Sequence, residues 1–173
     1  MEESKTHPFI DYLYSLSRDE NRGALAALRR GLGQPPGTVT EMYRYVVPHL
    51  PASRSQETVC YLIAPLFALH PKIAAMGNMG AHLAQTRTEG GEDALERRFT
   101  ALLSAHPDDL PEYLRRAVSF LKSKNEIPVN WNQLFWDLLN WDNEDRRVQK
   151  EWAKAFWGRA QANEKPPEQS GGQ

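Results

Sequence analysis

Apolar residues recur with a period near 3.6 along almost the whole chain, and nearly every such stretch opens on its own helix-start signal. Leu25, Leu28 and Leu32 stand at i, i+3 and i+7. Leu95, Phe99 and Leu102 share one face; Leu110, Leu114, Ala117, Val118 and Leu121 make a stripe; Val148, Trp152, Ala155, Phe156 and Arg159 align. A strand over 58–64 is the one rival reading. No partner strand stands elsewhere in the sequence, so its edge groups would go unsatisfied. The pattern specifies an all-α protein, a single compact helical-bundle domain of about eight or nine helices.

The expected helices run over 8–16 and 19–32, then from a capping-box pattern at Thr38 and Glu41 to Pro48 and Pro51. A helix over 55–70 is apolar nearly all round and belongs at the centre of the core. Further helices are expected over 81–86, 94–105, from a cap at Asp109, over 130–140, and from Asp142 onward. Gly77 and Gly80 read as a tight entry into the 81–86 helix. Their GxxG spacing also occurs in the KH nucleotide clamp, which needs a neighbouring sheet. With 173 residues the chain suits one domain, expected over 1–162, and the Pro- and Gly-rich segment 163–173 is expected to be a disordered polar tail.

Catalytic constellations are weak. Cys60 is the only cysteine and lies in the most apolar helix, where a buried, inert thiol is expected. His7, His49, His70, His82 and His106 form no metal-ligand spacing and read as surface or loop-end residues. Asp108 and Asp109 point apart at a helix start. No phosphate-cradling Gly-rich loop ends in Lys-Ser/Thr. No catalytic residue, metal or cofactor is therefore assigned. The acidic, polar opening MEESKTHP is not a secretory signal, and the longest apolar run, 61–69, is too short to span a bilayer. A soluble, cytoplasmic protein without membrane association is expected.

The basic residues are distinctive. Arginines outnumber lysines fourteen to seven, and eight arginines fall in the doublets Arg29-Arg30, Arg97-Arg98, Arg115-Arg116 and Arg146-Arg147. Guanidinium suits fork-like contact with phosphate. On one continuous second helix, Arg18, Arg22 and Arg29 would fall within about 40° of one another. Arg115 and Lys122 share a flank at i, i+7; Arg147, Lys150 and Lys154 form a stripe; Arg54 stands at a helix N-terminus, which itself favours an anion. Two readings stay open: phosphate contacts, or solvated faces paired with the chain's 22 acidic residues. The net charge of −1 requires any polyanion binding to come from a local patch. Among the tryptophans, Trp136 and Trp152 are expected in the core, and Trp141 and Trp157 are candidates for a subunit interface.

Ordered motifs carry a family resemblance over residues 8–160. They are Leu28-Arg-Arg30, Met42-Tyr-Arg-Tyr-Val-Val-Pro48, Gly77-Asn-Met-Gly-Ala-His-Leu83 and Glu96-Arg-Arg-Phe-Thr-Ala-Leu-Leu103. In the C-terminal third they continue with Leu114-Arg-Arg116, Leu121-Lys-Ser-Lys124, Pro128-Val-Asn-Trp131, Asp137-Leu-Leu139, Arg146-Arg-Val-Gln149 and Trp152-Ala-Lys-Ala-Phe-Trp157. In these the chain resembles the CasB family, the small subunit of the type I-E CRISPR surveillance complex known as Cascade. The resemblance implies a non-catalytic helical subunit that packs against other Cascade subunits and crRNA. It also implies a second copy lying head to tail, and a basic face that supports the R-loop by gripping target and displaced DNA strands. The implied contact residues are Arg29, Arg30, Arg54, Arg97, Arg98, Arg115, Arg116, Arg146 and Arg147.

Overall fold

The computed structural model describes residues 5–162, with side chains as far as Gly158; the expected polar tail lies outside the described residues. Among these residues the chain forms nine α-helices. α1 (Pro8–Arg18) starts on His7, whose Nδ1 accepts from the Phe9 N–H, and buries Phe9, Ile10, Leu13 and Leu16. Glu20 then takes φ 49° and Asn21 caps α2 (Arg22–Arg29) through the Ala24 N–H. This break contradicts the expected helix over 19–32. Arg18 ends α1 while Arg22 begins α2, so the arc of Arg18, Arg22 and Arg29 does not lie on one helix.

The capping box at Thr38 and Glu41 does not form either. The Thr38 hydroxyl donates to the Pro35 carbonyl at 2.7 Å, a local turn that outcompetes the cap. The segment instead winds as a 3-10 turn, the four-residue α3 (Tyr43–Val46) and a second 3-10 turn holding Pro48.

Ser53 caps α4 (Arg54–Leu69), whose buried positions run from Val59 to Ala68 on nearly every side, as its composition predicts. It is the central helix, touching α1, α2, α7 and α8. α5 (Met79–Ala84) opens on the Asn78 cap and lies so close to α9 that a Cβ at Gly80 would overlap the Trp152 carbonyl. α6 (Glu92–Leu103) and α7 (Leu110–Ser123) follow, joined through a 3-10 turn. Asp109 stands at the cap position of α7 without a side-chain cap bond; His106 Nδ1 accepts from the Asp108 N–H instead. α8 (Trp131–Leu139) opens on Asn130 as expected.

α9 (Arg147–Ala162) starts five residues later than Asp142, because Arg146 sits at φ 57° and Asp145 accepts from the Arg147 N–H. No strand forms among the described residues. One parallel bridge, Ile73 to Val129, ties the loop before α5 to the loop before α8.

The core is heavily aromatic. Phe9, Phe67, Phe99, Phe135, Phe156, Trp131 and Trp152 are fully buried, each worth roughly 1.5–3 kcal/mol of transfer free energy. Trp141 is also buried. Its indole N–H donates to the Ala105 carbonyl and its ring packs on Trp152, so it is not an interface residue. Trp157 stays partly exposed, and Trp136 is half-buried. His70 and His82 also depart from expectation. Both are buried: the His70 ring bonds the Ile127 carbonyl, and His82 Nε2 accepts from the Asn130 N–H.

Candidate nucleic-acid interface

The C-terminal end of α4 gathers basic residues from two other helices. Arg29, in the last turn of α2, donates to the Ala68 carbonyl at 3.3 Å. Lys122, in the last turn of α7, donates to the Leu69 carbonyl at 3.1 Å. Terminal carbonyls have no partner within their own helix and carry the negative end of its dipole, so cations are stabilised there. Arg30 is the exposed C-cap residue of α2.

Arg115 extends the patch. A Cβ at Gly33, in the turn after α2, would sit 3.1 Å from Arg115 Nη1, so the end of α2 and the flank of α7 adjoin. Gly33 itself takes φ 69°, a conformation suited to glycine. Between α6 and α7 lies a cleft of about 590 Å³, lined by Arg98, Arg115 and Arg116 together with Phe99, Leu102, Tyr113 and Phe120. The Arg98 guanidinium lies over the Phe120 ring at 5.0 Å, and Lys124 approaches the same ring at 5.6 Å. Arg116 pairs with Glu112 at 3.1 Å in an exposed i, i+4 geometry. Such a pair contributes about 0.3–0.5 kcal/mol, so it holds the guanidinium only weakly.

Arg98, Arg115 and Arg116 therefore line one cleft, and Arg115 adjoins the Gly33 turn that follows Arg29 and Arg30 in the chain. Lys122 and Lys124 join the cluster and are absent from the contact residues that the family resemblance implies. The i, i+7 relation of Lys122 to Arg115 was the available signal.

The other arginines lie elsewhere. Arg97 lines a shallow depression on the other side of α6 with Asp93 and Glu96. Arg54 begins α4, about 22 Å along the helix axis from its Leu69 end, beside Tyr43, Glu57 and Tyr61. Arg146 donates to the Leu103 carbonyl at 2.6 Å and closes the end of α6. Arg147 lines a polar cleft with Asn78, Gln133, Asp137 and Glu151.

Two buried groups carry shifted acidities. Burial pushes the Cys60 thiol up to about 12, with the Glu57 carboxylate adding to the shift. Burial also raises the Asp137 carboxyl, against the lowering effect of hydrogen bonds from Trp152 and Gln133. No three His, Cys, Asp or Glu side chains converge as a metal-ligand set among the described residues. No helix among them is long and apolar enough to cross a membrane.

The sequence matches the family model of the CRISPR-associated protein Cse2 over residues 24–157. The CRISPR-associated protein Cse2 of Thermus thermophilus is 32% identical over 160 residues, covering 90% of this chain and 92% of that one. The crystal structure of CasB from Thermus thermophilus superposes with a TM-score of 0.75 at 30% identity, over 87% of this chain and 96% of that one. A chain of a CRISPR RNA-guided surveillance complex gives a TM-score of 0.75 at 27% identity, over 89% of this chain and 92% of that one.

Proposed function

Because the chain belongs to the CRISPR-associated Cse2 family, we propose that it is a non-catalytic small subunit of an RNA-guided surveillance complex of the Cascade type. Its task is to stabilise the R-loop through sequence-independent contacts with the backbones of the opened DNA strands. The supporting observation is the gathering of Arg29, Arg98 and Arg115 with Lys122 around the ends of α2 and α4 and the outer side of α7. A chain of net charge −1 can hold a polyanion only through a local patch such as this one. Guided strand exchange is close to energetically balanced, so a few protein–phosphate contacts suffice to tip it.

Arg29, Arg30, Arg98, Arg115 and Arg116 form the main grip in this reading. Arg54, Arg97 and Arg147 are separate outlying contacts, and Arg146 combines any contact with its cap on α6. Other subunits carrying the crRNA, and a second copy lying head to tail, occupy the less basic sides.

One observation favours a second reading, an adaptor without nucleic-acid contact: Arg29, Arg116 and Arg146 already have partners within the chain. Reconstituted complexes separate the two. With Arg29 and Arg30, or Arg115 and Arg116, replaced by alanine, R-loop formation slows while crRNA and subunit content stay intact. Dissociation of the subunit with unchanged R-loop formation by the remaining complex supports the adaptor instead.

A further inference from the structure

Guanidinium groups grip phosphates, but they do not account for the cleft between α6 and α7. Its walls carry Phe99, Leu102 and Ala117, and its mouth carries the half-buried rings of Tyr113 and Phe120. At about 590 Å³ it lies within the size range of small-ligand pockets. Above those rings stand cations: Arg98 and Lys124 over Phe120, and Arg116 at 5.7 Å over Tyr113. A duplex presents only phosphates and groove edges to such a surface and leaves the apolar walls empty. A single strand matches both parts, because its unpaired bases are flat and apolar-faced while its phosphates are spaced along a cationic rim.

We infer that the α6/α7 cleft receives unpaired nucleobases of a single strand, one base taking the place of the Arg98 guanidinium over the Phe120 ring while Arg98, Arg115 and Arg116 turn to the flanking phosphates. This rests on the nucleic-acid reading above and deepens it, from a grip on backbone to a site that distinguishes an opened strand from a duplex. Glu112 is the one acidic residue of the lining and is held by Arg116 at 3.1 Å, so the rim stays net positive. Every base has a stacking face, so the site prefers single strands without reading sequence.

The test compares two ligands on the full chain: a mixed-sequence DNA oligonucleotide of about 20 nucleotides, and one of equal length whose bases are replaced by abasic tetrahydrofuran residues. The phosphates are the same in number, so the two salt slopes should coincide. The base-bearing strand should bind about tenfold tighter, the effect of one stacked base. Phe120→Leu keeps an apolar side chain in the wall and removes the ring. It should bring the base-bearing strand down to the abasic affinity and leave abasic binding unchanged, with Phe120→Ala behaving alike. Equal wild-type affinities for both ligands overturn the inference and leave the backbone grip standing, as does a base increment that survives in Phe120→Leu. Failure of both ligands to bind overturns the backbone reading and this inference with it.

Discussion

Arg29 of α2 and Lys122 of α7 donate to the adjacent carbonyls of Ala68 and Leu69 at the end of α4. Two cations brought to one helix end would repel each other. The unpaired carbonyls and the negative end of the α4 dipole offset that repulsion. The fold thus brings two cations together at one point of a nearly neutral chain, with its own helix terminus as the counter-charge.

Arg29→Ala should destabilise the protein by about 0.5–1 kcal/mol, the usual worth of a cation at a helix C-terminus. Arg30→Ala, which removes only an exposed side chain, should stay within about 0.5 kcal/mol. Urea denaturation of the two variants checks the difference. Equal stabilities would mean that the Arg29 bond contributes nothing.

Gly80→Ala should destabilise by about 3 kcal/mol, at the upper end of overpacking effects, because the clash is with the Trp152 backbone rather than a movable side-chain end. Gly158→Ala, with open space around the new methyl, is the control and should be neutral or slightly stabilising. Thermal melts of both variants read the contrast.

Asp137 makes stability depend on pH. Its folded carboxyl pKa is raised above the ordinary 3.8 by burial. Unfolding therefore releases a proton wherever the pH lies between the ordinary and the raised value, and stability falls as pH rises through that window. Asp137→Asn removes the titration. With Gln133 turned over, the asparagine carbonyl still accepts from the Trp152 N–H and its amide donates to Gln133. The wild-type minus variant stability should decline across the window and level off above it; a flat difference would show that Asp137 titrates alike in both states.

Cys60 should resist alkylation at neutral pH in the folded protein and react promptly in denaturant. It is fully buried, and its thiol is pushed up to about 12. Mass spectrometry after iodoacetamide treatment reads this directly, and rapid labelling of the native protein would contradict the burial.

Local pattern carried much of the fold. The stripe Leu110, Leu114, Val118 and Leu121 is buried as the 3.6 period requires, and Asn130 caps α8 where its position suggests. What local pattern missed depends on competition or distance. The break at Glu20 and the failed cap at Thr38 are cases in which a turn hydrogen bond competes with helix. His70 and His82 are buried through partners at Ile127 and Asn130, 57 and 48 residues away in sequence. The doublets marked where guanidinium groups stand but not how the helices are rotated. The turn at Gly33, just after the α2 doublet, lies against Arg115, and the late start of α9 sends Arg146 to the end of α6.

The most direct test of the central claim is the salt dependence of single-stranded DNA binding by the free protein, with and without Arg115 and Arg116. Log affinity should fall linearly with log salt, at about 0.7 per phosphate neutralised. The Arg115→Ala, Arg116→Ala double variant should lower that slope by about one to two phosphates' worth and weaken all sequences alike. Arg146→Ala, at the end of α6 and outside the Arg98, Arg115 and Arg116 cleft, should lower the slope by less than the double variant does. A double variant with wild-type affinity and wild-type slope would contradict the account, leaving those arginines as solvated side chains that touch no phosphate.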